Sequence, residues 1–353
     1  MKKLSLFLGM VLVAGMALAQ NVSLVEQVSD GSNANVTQAG TNNVTVRQLD
    51  DQNTATVDQK TTGNVGFVLQ LLGTDNEATL IQEGKSNKAN LYQGIISGYA
   101  QSGTGAMAAN ENVGYIKQVG DNNDVYDFFQ LGNNNTGSVE IAGNSNRVEF
   151  QQGFTNYDSG DAVFSNNNNS TVTVTGSSNF TGMWQWGDDN TSNITQTGSN
   201  NNAAISQGYS YQNQGIAFVP YAIGNVSDVS QLGSDNSVRA MQLGNYNTLS
   251  LTQNGAFNKV GGESGSGLTT YFRQTGDGNT FEGVQNDGAT LEQTSGQTGD
   301  DNSINMVQGA GDVAKIIQAG NLNDVFLTQM GGGQNAVILQ TGSSNSAAVT
   351  QQQ

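Results

Sequence analysis

Gln231-Leu232-Gly233-Ser234-Asp235-Asn236-Ser237-Val238-Arg239-Ala240-Met241-Gln242-Leu243-Gly244-Asn245-Tyr246-Asn247-Thr248-Leu249-Ser250-Leu251-Thr252-Gln253 decides the fold. Glutamine returns every 11 residues, with Gly at +2 and Asn at +5. The seven residues from Asn to the next Gln alternate in character. Asn236, Val238, Ala240 and Gln242 fall on one side, and Ser237, Arg239 and Met241 on the other. A period of two is the signature of a strand with one buried face. The four residues between Gln and Asn carry a glycine at a fixed offset and make the turn.

The same template, Q-x-G-x-x-N-x5-Q, runs through the chain. Gln318, Gln329, Gln340 and Gln351 keep the period, as do Gln185, Gln196 and Gln207. Gln38 with Asn43, Gln118 with Asn123, Gln185 with Asn190, Gln274 with Asn279, Gln318 with Asn323 and Gln340 with Asn345 supply the pair. The turn glycines are Gly40, Gly84, Gly120, Gly187, Gly198, Gly233, Gly244, Gly255, Gly276, Gly320 and Gly342. Met107, Ile141, Val163, Val174, Val219 and Glu263 stand near Gln spacings and are read as degenerate anchors. With them, about 30 units run from Gln27 to Gln351. The step from Gln38 to Gln48 is short, those from Gln70 to Gln82 and Gln118 to Gln130 are long, and the largest insertion lies between Gln93 and Met107.

Two strand-turn units make one flattened coil of about 22 residues. The expectation is an all-β, cross-β solenoid of about 15 stacked two-strand coils, roughly 70 Å long. The inward set is Asn, a small or β-branched residue, an aliphatic residue and Gln. Lys88, Lys117, Arg239, Asp58, Glu77 and Asp324 point outward, so a one-residue slip would bury charge. Buried amides need partners. An amide stacked on an identical amide at strand spacing donates and accepts along the axis. The 11-residue period delivers that recurrence, and Gln38, Gln118, Gln196, Gln231, Gln242, Gln253, Gln329 and Gln351 with Asn236 and Asn247 are read as ladder residues.

Lys2 and Lys3, the apolar run Leu4 to Met16 and Ala17-Leu18-Ala19 read as a secretion signal over residues 1–19, leaving one solenoid over 20–353. The chain carries 12 basic and 29 acidic residues, a formal −17; losing Lys2 and Lys3 leaves 10 against 29, or −19. That balance speaks against nucleic acid as a partner. No second apolar run of spanning length follows, so membrane insertion is not expected. There is no cysteine and no histidine. Disulfides, His-ligated metal sites and His-based nucleophilic catalysis are excluded.

The remaining motifs have plain readings. Gly187-Asp188-Asp189-Asn190 and Gly299-Asp300-Asp301-Asn302 are acidic turns without a calcium-binding nonapeptide, and no cofactor is expected. Gly265-Ser266-Gly267 is a turn, and Asn35-Val36-Thr37 matches the glycosylation triplet by chance in an Asn-rich chain. Aromatics gather at Trp184 and Trp186, at Tyr126, Phe128 and Phe129, and over Tyr209 to Tyr221, read as edge covering or a local bulge ahead of contacts with glycan or a neighbouring fibre. No carboxylate pair stands apart from the repeat, so no enzyme activity is expected.

The repeat resembles that of the curlin family, whose subunits alternate Gln, Gly, Asn and Gln in strand-turn-strand units of about twice this period. The resemblance implies a secreted subunit that passes a dedicated outer-membrane secretion pore, is started by a nucleator subunit, and polymerises with copies of itself into extracellular amyloid fibres of the bacterial surface and biofilm. The first unit opens near the start of the mature chain and Gln351 lies near its end, so the stack is expected to be uncapped and to add copies end to end without closing. The alternative is a monomeric solenoid, a surface adhesin or an ice- or glycan-binding protein. Thr171-Val172-Thr173-Val174-Thr175 is the stretch that suggests it.

Overall fold

Period-two alternation gives each short segment one apolar edge that no single strand can bury, so the segments pair. A computed structural model of the chain describes residues 20–94, 109–155, 162–163, 165–208, 222–261, 271–292 and 294–352. Among these residues there is no helix, and successive strands alternate between two parallel sheets. Sheet I is 15-stranded and starts with Val22–Gln27 and Thr41–Gln48; sheet II is 13-stranded and starts with Asn33–Gln38 and Thr54–Lys60. In sheet I, Lys259–Val260 with Phe272–Thr275, and Thr290–Leu291 with Gly296–Thr298, are halves of two interrupted strands. Both sheets therefore stack thirteen layers, one coil each, and span roughly 60 Å at the usual strand spacing.

The stack is all-β and solenoidal, and it holds thirteen coils rather than about fifteen. The difference is the four degenerate anchors Met107, Val163, Val219 and Glu263. Val163 sits in a short antiparallel pair, Phe154–Thr155 with Ala162–Val163, outside the two stacks. Met107, Val219 and Glu263 lie outside the described residues, as do residues 1–19, Gly265 to Gly267 and Tyr209 to Tyr221. The flanking layers pair directly across each gap: Gln82 with Gln118, Gln196 with Gln231, and Gln253 with Gln285. Each extra unit is thus an insertion leaving a coil without adding one. Ile141 and Val174 do occupy layers, in register with Gln118 and Gln196.

The irregular steps have local causes. The short step after Gln38 removes a turn residue, so Asn42 is buried and Asn43 is exposed. Asn43 is therefore not a ladder residue. Counting six back from Gln48, as from Gln59, Gln70 and Gln82, lands on the buried Asn, here Asn42. The long step from Gln118 to Gln130 is a bulge inside the strand Asp124–Gln130, where the register shifts between Tyr126 and Phe128. The extra residue, Asp127, adopts φ 57°. Parity reverses past it, and Phe128 turns into the core while Tyr126 stays 42% exposed.

The core between the sheets is aliphatic, with Val44, Val57, Leu80, Ile116, Val229 and Ile304 fully buried. At the bulge, Phe128 and Phe150 stack with centroids 4.2 Å apart. Gly137 on the facing sheet makes room, since a Cβ there would lie 2.6 Å from the Phe150 ring. Gly137→Ala is expected to cost about 1–3 kcal/mol by overpacking, read as a lower denaturation midpoint at unchanged m-value. The bulge also half-buries Asp127, whose carboxyl is pushed up to about 6, by burial first and then by Glu149. A carboxyl raised in the folded state favours folding when protonated, so that contribution is present below its unfolded pKa and is lost as pH rises through about 6. Stability of the soluble chain should rise from pH 7 towards pH 4, and Asp127→Asn should flatten that part of the curve in thermal melts.

Candidate functional site

Strand pairing places the glutamine of each layer above that of the last, and the side chains close into two columns. In sheet I, Gln27, Gln48, Gln70, Gln93, Gln130, Gln152, Gln185, Gln207, Gln242, Gln274, Gln297, Gln318 and Gln340 form one unbroken series. Each Nε2 donates to the Oε1 of the next coil at 2.7 to 3.1 Å. In sheet II the series runs Gln38, Gln59, Gln82, Gln118, stops at Ile141 and Val174, and resumes over Gln196, Gln231, Gln253, Gln285, Gln308, Gln329 and Gln351. The break is sealed. Thr181 of sheet I donates its hydroxyl to Gln196 Oε1 at 2.6 Å, replacing the missing amide. The second Nε2 hydrogen of most rungs goes to a backbone carbonyl of the opposite sheet, as in Gln318 to Ser303 O at 3.0 Å.

Two asparagine columns run in the opposite sense. Each Oδ1 accepts the backbone N–H, and often the Nδ2, of the following coil. Before sheet II the column is Asn53, Asn76, Asn112, Asn135, Asn168, Asn190, Asn225, Asn247, Asn279, Asn302, Asn323 and Asn345. Before sheet I it passes through Asn42, Asn64, Asn87, Asn123, Asn146, Asn179, Asn201, Asn236 and Asn258. Ala289 then interrupts it, and the fully buried Asp312 takes the slot, accepting the Gln334 N–H at 2.9 Å. Asp312 and Gln334 stand six residues before Gln318 and Gln340, so the period marks their slots but not the residue types that fill them.

Nδ2 of many Asn residues also reaches a turn carbonyl of the neighbouring coil, as in Asn179 to Gly198 O at 3.0 Å. That explains the glycine. All eleven glycines named from the sequence have positive φ. At Gly198, φ is +122° and an added Cβ would lie 1.8 Å from Gly233 O, so the turns stack too closely for a side chain. Two residues further on, a second position is left-handed in most turns, and glycine fills it in only some, as at Gly278. Asn122, Asp189 and Asn200 fit it readily, whereas Tyr246, Phe257 and Leu322 adopt φ 55–60° there at about 1–2 kcal/mol each.

The acidic turns are used by the backbone. Asp188 Oδ1 accepts the Asn166 N–H at 2.8 Å and Asp300 Oδ1 the Asp277 N–H at 3.0 Å. Among the described residues no group of three acidic side chains could hold a metal ion, and no helix is long and apolar enough to cross a membrane. Thr171, Thr173 and Thr175 lie outward on the strand Asn169–Ser177 of sheet II. Trp184 and Trp186 are half-buried.

The curlin associated repeat family matches residues 51–84, 225–255 and 320–352. These three stretches, 98 of the 353 residues, are similar to the curlin associated repeat. Each matched stretch contains inward Gln and Asn, an arc glycine and parts of both sheets. Comparison with curated protein sequences finds no match. Each matched stretch thus spans more than one full coil, and its inward Gln and Asn hydrogen-bond between coils. Gln253→Ala removes a rung and strands Gln231 Nε2 and Gln285 Oε1 in the core. It should cost about 1–3 kcal/mol per unpaired group, whereas Thr252→Ala, outward on the same strand, should stay within about 0.5 kcal/mol; paired denaturation curves decide it.

Proposed function

We propose that this chain is a secreted structural subunit that polymerises end to end into an extracellular, amyloid-type fibre of the bacterial surface, with no catalytic role. The observation that carries the reading is the complementarity of its two terminal layers. Gln27 and Gln38 donate into the stack and leave Oε1 as the acceptor at one end. Gln340 and Gln351 accept from the stack and leave an Nε2 hydrogen at the other. Ala34 and Val36 at the first end, and Ala347 and Val349 at the second, are only partly buried against the core. A second copy in the same register seats Val36 on Val349 and Ala34 on Ala347, and continues both glutamine series. Such a contact is heterologous and does not close, so it propagates.

Residues 1–19 fit this reading as an export leader, and the −19 balance of the remainder as a solubility device before assembly. An outer-membrane pore and a nucleator subunit belong to it as partners, drawn from the curlin family. Purified chain over 20–353 should form dye-binding fibres after a lag, and sheared fibres should abolish the lag. Val349→Lys places an unpaired charge inside the junction and should slow seeded elongation at least about tenfold, a barrier of ~1.4 kcal/mol. Thr350→Lys, its outward neighbour, should elongate at near the wild-type rate. Persistent monomer with no dye response, or equal rates for the two variants, overturns the proposal.

A further inference from the structure

The two outer faces of the stack are unlike. Sheet I is bulged at Tyr126, interrupted twice, and partly overlain, since its outward Leu69, Ala204, Ser206 and Met241 are buried. The segments between consecutive coils all leave from sheet I strands, after Gln93, Gln152, Gln207 and Val260. Sheet II has neither defect. Its thirteen strands pair without a register shift, and no outward side chain on them is buried. At about 60 Å by 20 Å this face covers roughly 1,200 Å², more than the ~800 Å² each partner gives to a stable protein interface.

Its charge is distributed in an order that matters. In the first half of sheet II the outward residues include both of its cations, Lys60 and Lys117, and four acids, Asp58, Glu77, Glu83 and Glu140, with Lys60 paired to Asp58 and Glu83. In the last half they include Glu282 and Asp324 and no cation. Between them, the strands Asn169–Ser177, Thr191–Ser199 and Thr248–Ala256 carry no outward charge at all, and Val226–Ser234 carries only Asp228. Apart from Val226 and Leu232, the window is hydroxyl-bearing and small: Thr173, Thr195, Ser230 and Thr252 stand in one column, each opposite the next.

We infer that sheet II is a pairing face for a second copy of this chain, docked face to face about a two-fold axis along the strand direction at Thr191–Ser199. That axis reverses coil order. It lays the Lys117-bearing strand over the strand that carries Glu282 and the Lys60-bearing strand over the one that carries Asp324, with Asn169–Ser177 over Val226–Ser234 and Thr191–Ser199 on itself. Each cation-bearing strand of one face thus meets a strand of the other that carries an acid and no cation. Short hydroxyl and methyl side chains in the window let the sheets interdigitate closely. The face is lateral, so it is separate from the end-to-end junction proposed above: it dimerises soluble subunits and, in fibres, joins neighbouring filaments in antiparallel pairs.

Sedimentation of freshly purified, unseeded protein tests this apart from fibre growth. Wild type should be a dimer at tens of micromolar, and its fibres should be two filaments wide by electron microscopy. Thr195→Lys puts like charges on the axis. It should sediment as a monomer with an unchanged strand signature in circular dichroism, and its fibres, seeded, should be single. Lys117→Glu should weaken the dimer at least about tenfold, and Lys117→Glu with Glu282→Lys should restore it. A monomeric wild type, a Thr195→Lys dimer as tight as wild type, or no rescue by the double exchange overturns the inference. Should the wild-type monomer instead be retained on ice or insoluble glycan through Thr195, the face belongs to that ligand.

Discussion

Everything in this molecule depends on keeping buried amides in register along one axis. A buried Gln or Asn left unpaired costs more than its methylenes return. The stack avoids that cost only when each coil presents the same side chain at the same height. Strand spacing near 4.8 Å happens to suit amide-to-amide hydrogen bonding, so backbone ladder and side-chain ladder share one repeat. A coil shifted by two residues keeps its backbone bonds and its buried face but loses every side-chain partner. The amides therefore choose among registers that the apolar alternation leaves degenerate.

The two kinds of amide divide the work. Glutamine columns donate toward later coils and asparagine columns toward earlier ones. Their dipoles oppose, so a long stack does not accumulate a field from its own side chains. Asparagine also ties sheet to arc through the turn carbonyls, which fixes where each strand begins. The interruptions show what the design tolerates. Ile141 and Val174 replace two adjacent glutamines, so the apolar pair faces itself rather than an orphaned amide, and Thr181 closes the open end. Adjacent replacement leaves two broken edges in all, where separated replacement would leave four.

How much of this was legible in the sequence follows from the same physics. The strand set, the inward face, the glutamine columns and the arc glycines are periodic, and periodicity is what a sequence displays directly. What escaped was each departure from it. Asn43 looked right by counting forward from Gln38, yet strand parity is fixed by the residue that ends the strand, so only the backward count from Gln48 finds Asn42. Val163 sat near an anchor spacing but pairs with Phe154 in a short antiparallel ribbon outside the stacks, because spacing alone cannot distinguish a rung from a loop of similar length. Asp127 was hidden because a bulge leaves composition unchanged while reversing which of Tyr126 and Phe128 is inside. The second left-handed turn position holds Asn, Asp, Ser or Gly and even Tyr, Phe or Leu, so no single residue type marks it. Which outward residues face a neighbour was not legible at all: outward positions are released from the ladder constraint and carry no period.

That release separates two kinds of information along each strand. Inward positions are dictated by the coil below and the coil above. Outward positions answer only to solvent or a partner, and insertions can leave a coil freely if the next strand re-enters in register, as the direct pairing of Gln93 with Gln130 demonstrates. An internal layer and a layer shared between copies would obey the same rule, since neither involves a bond that the other lacks. Covalent linkage between coils then contributes effective concentration rather than specificity. On the proposed fibre reading, folding and polymerisation would be one process, distinguished by whether the next coil belongs to the same chain. The difference between a soluble subunit and a fibre would then lie in how fast free ends meet, which is where a large acidic excess on the outer surface would act.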